Sequence, residues 1–237
     1  YIPQIIDLIE RLEKRGIAYR AGDGSVYFSI NKYRGCGCRY GQLVTLDPEA
    51  QRQTERVSGD SYDKDNLADF ALWKARVPGD GVVFWESPWG EGRPGWHIEC
   101  SAIALRYLQI SPQDEFSIDI QGGGSDLIFP HHEMSASQSF ALTGQKFARC
   151  YVHSGMVGLD GQKMSKSLGN LVFVSKLIAQ GIDPMAIRWA LMGHGFQSDL
   201  MWNEDLISQA QVEIEKLRKK GDKYTKHKEE RHTFLTK

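Results

Sequence analysis

Two lysines stand close together in the segment GQKMSKSLGN, residues 161–170, which begins within an Asp160-Gly161 pair that predicts a turn. Glycines lie on both sides of Lys163 and Lys166, so the segment is expected to form a pliable loop. A loop that carries two ammonium groups can close over phosphates and stabilise the negative charge that develops as a phosphate group leaves. An ordinary solvated loop has the same composition, so the pattern alone leaves both interpretations open.

A glycine run, QGGGSD at 121–126, follows the segment EFSIDI, which is typical of a β-strand. Such a run can let the backbone approach a phosphate, but it lacks the G-x-G-x-x-G spacing of dinucleotide sites and also suits a plain loop. Asp126 stands just beyond the glycines, where a carboxylate can accept hydrogen bonds from ribose hydroxyls. The carboxylate adds to the case for nucleotide binding.

Cysteine and histidine side chains of the kind that bind zinc occur in GWHIEC (95–100) and PHHE (130–133). A catalytic zinc has three protein ligands and an open position, whereas Cys100 and His131 are 31 residues apart. Adjacent residues of a helix point about 100° apart, so at most one of His131 and His132 would face a metal. On spacing alone, burial in a core is the better explanation, although the spacing does not decide between the two.

The composition is that of an ordinary globular protein, with 41% hydrophobic and 25% charged residues among 237. A net charge of −1 does not indicate a polycation that binds nucleic acid through charge alone. No apolar run is long enough to span a bilayer, so no membrane partner is expected. Four cysteines are too few for a disulfide scaffold at this length, and a cytoplasmic location is expected.

Hydrophobic spacing predicts alternating helices and strands. Helices are expected at Ile2–Leu12, NLADFALWKA (66–75) and CSAIALRYL (100–108), then from Ser175, from Asp183-Pro184, and from Asn203 to about Lys219 with Gly221 at its end. Strands are expected at VYFSI (26–30), EFSIDI (115–120) and ARCYVHSGMVG (148–158). A strand, a glycine run, a helix and a strand in that order predict an α/β fold with a parallel sheet that binds a ligand at the carboxyl ends of its strands.

KMSKS at 163–167 resembles the signature loop of class I aminoacyl-tRNA synthetases. Together with DFALWK (69–74), GRPGWHIECSAIA (92–104) and GGGSDLIFPHHE (122–133), it makes the chain similar to cysteinyl-tRNA synthetases and to their paralogues, the cysteine ligases of mycothiol biosynthesis. The resemblance runs from residue 1 to about 215. It implies a class I synthetase-like, Rossmann-like nucleotide-binding parallel sheet that is incomplete at its N-terminus, with a small inserted region and a C-terminal helical part.

The resemblance also implies roles for particular residues. Cys100 and His131 match zinc ligands of the family, and Trp96 matches the aromatic residue beside the bound cysteinyl group. The other matches concern ATP, with the ribose held at Gly124, Ser125 and Asp126, the adenine at the backbone of Val157, and the phosphates at Lys163 and Lys166.

The cofactors implied are one zinc ion, whose third ligand is a cysteine outside this sequence, and ATP as a substrate with Mg²⁺. A soft metal takes a cysteine thiolate and rejects a serine hydroxyl, and zinc lowers the pKa of the bound thiol. Such a site discriminates between the two amino acids without an editing site.

Departures from the synthetase pattern favour the ligase of mycothiol biosynthesis. Synthetases carry a glutamate four residues after the ligating histidine, where this chain has Ser135, and a histidine in D-I-H-G-G-G, where it has Gln121. ERVSGD (55–60) and DLMW (199–202) also look more like the ligase. The resemblance then implies that cysteine and ATP give cysteinyl-adenylate, and that the amine of glucosaminyl-inositol takes the cysteinyl group.

Two alternatives stay open: a cysteine–tRNA ligase that transfers the same group to tRNA(Cys), and a truncated paralogue that binds nucleotide without catalysis. The family's H-I-G-H motif and the zinc cysteine ahead of it are not found in this sequence. The chain is therefore expected to be a fragment or one part of a split enzyme. By itself, it is expected to hold zinc weakly and not to form the adenylate.

The resemblance divides the chain into four parts. These are a helix of the catalytic fold (1–20), an inserted connective region (21–90), a nucleotide-binding core with the zinc residues and the lysine loop (91–174), and a C-terminal helical stem (175–237).

Overall fold

The computed structural model describes residues 1–44, 69–166 and 168–235, with side chains up to residue 223. The helices are α1 (Ile2–Lys14), α2 (Ile30–Gly35), α3 (Trp96–Leu108), α4 (Glu133–Thr143), α5 (Val174–Ala179), α6 (Pro184–Met192) and α7 (Glu204–Leu235). The strands are β1 (Ala18–Arg20), β2 (Val26–Phe28), β3 (Phe70–Ala75), β4 (Gly92–Pro94), β5 (Phe116–Gly124), β6 (Lys146–Ser154), β7 (Val157–Leu159), β8 (Gln162–Lys163) and β9 (Leu200–Trp202).

The chain forms two compact units, Tyr1–His153 and Ser154–Lys237. The motif ERVSGD (55–60) lies outside the described residues. The four functional parts that the resemblance implies stay a prediction, because they divide the chain by role and not by packing.

Helix α1 opens the first unit and buries one face. Its residues Ile5, Leu8, Ile9 and Leu12 are buried at the helical spacing, and Pro3 occupies the first turn, where its missing N–H costs no hydrogen bond. The predicted helix is confirmed. It contributes to a core that also contains side chains of β2, β3, α3 and α4.

The four-stranded sheet of the first unit is antiparallel, in the order β1-β2-β3-β4. The predicted helix over NLADFALWKA is wrong where the structure describes it, because Phe70–Ala75 is the central strand β3. Trp73 pairs with Val26 on one side and with Pro94 on the other, and its side chain is fully buried. Ala, Leu and Lys favour a helix locally, but the two neighbouring strands override that preference.

Strands β5 and β6 form the second sheet of this unit. The backbone N–H of Lys146 donates to the carbonyl of Glu115 at 3.0 Å, and a Cβ built on Gly122 would lie 3.8 Å from the carbonyl oxygen of Val152. The start of β5 thus lies beside the start of β6, and the end of β5 lies beside the end of β6, so the two strands are parallel. The turn Ile128–His132 and helix α4 form their crossover, and the predicted parallel α/β arrangement is confirmed.

Glu133, the first residue of α4, is a fully buried carboxylate. Its Oε1 accepts from the backbone N–H of Gly41 at 2.8 Å, and its Oε2 accepts from that of Leu43 at 2.9 Å. A negative charge at a helix N-terminus is also stabilised by the helix dipole. Glu133 therefore fastens the segment around Gly41 to the start of α4.

The second unit contains the sheet β8-β7-β9 and its own core between α6, α7 and β9. Asp160 and Gly161 have φ values of 52° and 75°, as a type I′ hairpin between β7 and β8 requires, so the predicted turn is confirmed. Strand β7 pairs in parallel with β9. The expected end of the last helix at Gly221 is wrong, because α7 continues to Leu235.

Among the helices in the described part of the chain, none combines the length and the apolar character needed to cross a membrane.

Replacing Glu133 with Gln should lower the free energy of unfolding by about 1–3 kcal/mol, because one buried backbone N–H would then face an amide nitrogen instead of an acceptor. Urea unfolding followed by the fluorescence of the buried Trp73 measures the loss. The matched control is Glu115→Gln, which removes a solvent-exposed ion pair with Lys146 of 2.7 Å and should cost much less. Equal losses in the two variants would contradict the stabilising role of the two hydrogen bonds that Glu133 accepts from Gly41 and Leu43.

Candidate active site

Helix α3 carries two of the predicted site residues, Trp96 and Cys100, and a third, His131, lies beside Trp96. Its start is fixed to β3, because the N–H of Gly95 donates to the carbonyl of Leu72 at 2.8 Å and any Cβ on Gly95 would collide with the carbonyl of Ala71. Trp96 is 60% exposed, and the centroid of its indole ring lies 4.8 Å from that of the His131 imidazole. Cys100 follows four residues after Trp96 and therefore shares its face of the helix.

His131 is buried and meets a second buried histidine, His97 of α3. Their Nδ1 atoms are 2.9 Å apart, so one nitrogen donates a proton and the other accepts it. If the proton sits on Nδ1 of His131, the Nε2 lone pair of that ring is available to a metal. The pairing with His97 thus controls whether His131 can act as a ligand.

A second histidine pair lies beside the first. Nε2 of Gln121, on β5, lies 3.0 Å from Nε2 of His132, and Nδ1 of His132 lies 2.7 Å from Nε2 of His153 on β6. When the amide of Gln121 donates, His132 must carry its proton on Nδ1 and donate to His153. One hydrogen-bonded chain therefore fixes the tautomer of both rings.

All four imidazoles are held in the neutral form near pH 7. Burial lowers the pKa of His97 to about 3, with a further contribution from the neighbouring His131 and Lys74. Burial also lowers the pKa of His132 to about 4, and it lowers the pKa values of His131 and His153. Neutral imidazole is the form that binds metals and accepts protons.

The glycine run ends at this cluster. A Cβ on Gly123 would lie 2.9 Å from Cε1 of His132, so only glycine leaves room for that ring. Gly124 is the last residue of β5, and Ser125 and Asp126 follow in an exposed short 3₁₀ turn. The residues predicted to hold ribose therefore lie at the carboxyl end of a parallel strand, where α/β sheets bind ligands.

The two predicted metal ligands fit zinc in chemical type, but they do not make a complete site. Among the side chains that the structure describes, in residues 1–44, 69–166 and 168–223, no three His, Cys, Asp or Glu side chains come together in a way that could hold a metal. Burial, followed by the charge of Glu99, raises the pKa of the Cys100 thiol. Ser135, one turn after His131, is buried, and no described residue bonds to its Oγ.

The second unit holds the remaining predicted residues. Lys163 ends the short strand β8, paired with Gly158, and Lys166 lies in the turn that follows; both side chains are exposed. Val157 begins β7, pairs with Leu200, and packs against the core of this unit. The structure therefore places Lys163 at the end of the β7–β8 hairpin and Lys166 in the exposed turn that follows it.

Sequence analysis did not identify His97, His153 or Gln121 as members of one cluster. His153 lies two residues after Tyr151 on β6, and the two rings stack with centroids 6.4 Å apart. The alternation of Tyr151 and His153 was the available signal for a shared face of a strand. No local signal links either residue to Gln121, which is 32 positions before His153 in the sequence.

A parallel strand pair with its crossover, followed along the chain by a loop with two lysines, is the arrangement expected of a class I synthetase catalytic fold. The family model described as "tRNA synthetases class I (C) catalytic domain" matches residues 1–212, and the chain belongs to this family. The predicted resemblance is confirmed.

Among curated relatives, the L-cysteine:1D-myo-inositol 2-amino-2-deoxy-alpha-D-glucopyranoside ligase of Thermomonospora curvata is 48% identical over 222 residues, which cover 92% of this chain and 50% of that protein. The cysteine–tRNA ligase of Chlamydia pneumoniae is 46% identical over 208 residues, which cover 87% of this chain and 42% of that protein. The chain thus spans about half the length of the curated relatives it matches.

Methionyl-tRNA synthetase of Mycobacterium tuberculosis, solved with methionyl-adenylate, has a TM-score of 0.54 at 17% identity. The match covers 87% of this chain and 48% of that one. At this identity the likeness concerns the fold alone.

Replacing Gly123 with Ala should displace the His132 ring and break its bonds to Gln121 and His153, because the new methyl group would lie 2.9 Å from Cε1. Nitrogen-15 NMR of the imidazoles, which reports the tautomer of each ring, should show mixed tautomers for His132 and His153 in this variant. The neighbouring Gly122→Ala is the control, since its nearest contact is an ordinary 3.8 Å. Unchanged spectra for Gly123→Ala would contradict the predicted chain of fixed tautomers.

Proposed function

We propose that the chain is part of an ATP-dependent cysteine ligase that forms cysteinyl-adenylate and transfers the cysteinyl group to the amine of glucosaminyl-inositol. The observation that carries this proposal is the environment of His131, which lies on the turn between β5 and α4. Its imidazole packs against Trp96 and is hydrogen-bonded to His97, both of helix α3. The names of the relatives support it, because both specify cysteine as the group that those proteins ligate.

Cys100 and His131 would hold zinc in this proposal, together with a third ligand from outside the chain. The metal, when bound, would supply the preference for a thiolate over a hydroxyl. Side chains of this chain position the histidine ligand. Trp96 covers the face of the His131 ring, and Nδ1 of His97 accepts a hydrogen bond from the Nδ1–H of His131, so that Nε2 of His131 carries no proton.

The ATP-binding residues are assigned in the same proposal. The exposed carboxylate of Asp126 accepts hydrogen bonds from the ribose, beside Gly124 and Ser125, and the backbone of Val157 binds the adenine. Lys163 and Lys166 bind the phosphates and stabilise the negative charge of the departing pyrophosphate.

Two steps complete the reaction. The carboxylate of cysteine attacks the α-phosphate of ATP, which forms cysteinyl-adenylate and releases pyrophosphate. The amine of the acceptor then attacks the activated carbonyl and forms an amide bond, while the C–O bond to the phosphate breaks, AMP leaves, and the amine gives up one proton to solvent. Neither step requires a covalent bond to the protein.

A cysteine–tRNA ligase is the second candidate, because relatives of both kinds match with similar identities of 48% and 46%. Gln121 and Ser135 support the amino-sugar acceptor. Gln121 bonds to His132 in the position where synthetases carry a histidine, and Ser135 offers a neutral hydroxyl where they carry a further metal-binding carboxylate.

In the full-length enzyme, Lys166→Ala should slow adenylate formation about 10²- to 10³-fold and leave the KM for cysteine nearly unchanged, because the ammonium group acts mainly on charge that develops in the transition state. Cysteine-dependent exchange of pyrophosphate into ATP measures both constants. Lys176→Ala changes another lysine of the second unit, which contacts Phe173, and is expected to have wild-type exchange. A KM that rises as much as kcat falls would contradict the assigned role of Lys166.

Full-length enzyme given labelled cysteine and ATP should acylate glucosaminyl-inositol and leave tRNA(Cys) unlabelled. The product identifies the acceptor chemistry, because an amide survives mild base whereas an aminoacyl ester is hydrolysed. Label found on tRNA in a base-sensitive bond would establish the second candidate in place of the first. Absence of adenylate formation with either acceptor would support a nucleotide-binding paralogue without catalysis.

A further inference from the structure

The side-chain amide of Asn170 bridges two backbone groups of the lysine loop. Its Oδ1 accepts from the N–H of Ser165 at 2.8 Å, and its Nδ2 donates to the carbonyl of Lys163 at 3.2 Å. A primary amide supplies one acceptor and two donors, so it can hold both groups at once. Among residues of this size, a carboxylate offers acceptors only, and an aliphatic side chain offers neither.

Two further bonds close the same loop from inside. The N–H of Leu168 donates to Oγ of Ser165 at 3.2 Å, and the N–H of Gly169 donates to the carbonyl of Lys166 at 3.2 Å. Gly169 has a φ of 65°, a conformation that suits glycine and turns the chain back towards the hairpin. Hydrogen bonds at Ser165, before Lys166, and at Leu168 and Gly169, after it, therefore restrict the position of Lys166.

Lys163 belongs to a paired strand of the second unit. It pairs with Gly158 across the Asp160-Gly161 hairpin, and Met164, next to it, packs against the core of this unit. The amide of Asn170 thus joins the returning end of the loop to the hairpin. A loop tied at both ends loses less conformational entropy when its lysine engages a ligand than an open loop would.

We propose that Asn170 is a positioning residue that holds the backbone from Lys163 to Ser165 so that Lys166 meets the triphosphate without first ordering the loop. This role rests on the proposed function, in which Lys166 stabilises the departing pyrophosphate. Asn170 itself need not touch the substrate.

The test compares three variants of the full-length enzyme. Asn170→Ala removes both bonds, Asn170→Asp keeps the acceptor and loses the donor, and Asn203→Asp is the matched control. Asn203 lies in the same unit and acts as an acceptor. Its Oδ1 accepts from the N–H of Leu206 at 2.8 Å, and an aspartate at this position would keep that hydrogen bond. Both Asn170 variants should lower kcat for cysteine-dependent pyrophosphate exchange about 10- to 100-fold with a nearly unchanged KM for cysteine, and the control should not.

Hydrogen exchange of the Ser165 amide, resolved by fragmentation mass spectrometry, gives a readout that does not depend on activity. Protection should fall in Asn170→Ala and persist in Asn170→Asp and in the control. Unchanged protection in Asn170→Ala would show that the bridge is not formed, and lost protection with a normal kcat would show that it does not position Lys166; either result overturns the proposal. Slow exchange of pyrophosphate in the Asp variant alone would assign the effect to the added charge and would also overturn it.

Failure of the proposed function is distinguishable from failure of this inference. If wild-type enzyme catalyses no cysteine-dependent exchange, both are refuted. If wild type is active and the Asn170 variants equal it, only the positioning role of Asn170 is refuted.

Discussion

The geometry of the first unit's site depends on one buried charge. Glu133 begins helix α4 directly after His131 and His132, and its two oxygens are satisfied by backbone N–H groups of Gly41 and Leu43. A buried carboxylate without such donors would be strongly unfavourable, so the start of α4 can lie only where both amides reach it. Because the two histidines immediately precede that start, the same bonds determine where their rings lie.

The second constraint is that a largely buried cluster of imidazoles stays uncharged. His97 and His131 share a single proton between their Nδ1 atoms, and Gln121 orients the proton of His132. A charge on any one ring would be poorly solvated, which is why burial lowers the pKa of each histidine. The rings therefore stay neutral, the form that can coordinate a metal or accept a hydrogen bond.

Sequence predicted the features that depend on local pattern. The isoleucine spacing of α1 and the Asp160-Gly161 turn each follow from a few neighbouring residues, and the strand predicted at EFSIDI is present as β5, which ends within the glycine run. Features set by distant partners were missed. Strand β3 was predicted as a helix because its pairing with β2 and β4 is not visible locally, and Gly221 failed to end α7 because a single glycine costs a helix only about 1 kcal/mol. The histidine cluster was missed for the same reason, since its members lie on four separate elements.

The short crossover between β5 and β6 also has an entropic consequence. Gln121 and His132 are separated by 11 positions, His132 and His153 by 21, and His97 and His131 by 34. Since the entropy lost on closing a loop grows with its length, closure costs least for the contact between Gln121 and His132, more for that between His132 and His153, and most for that between His97 and His131. The most distant pair thus depends most on the surrounding core, which must offset the largest loss of chain entropy.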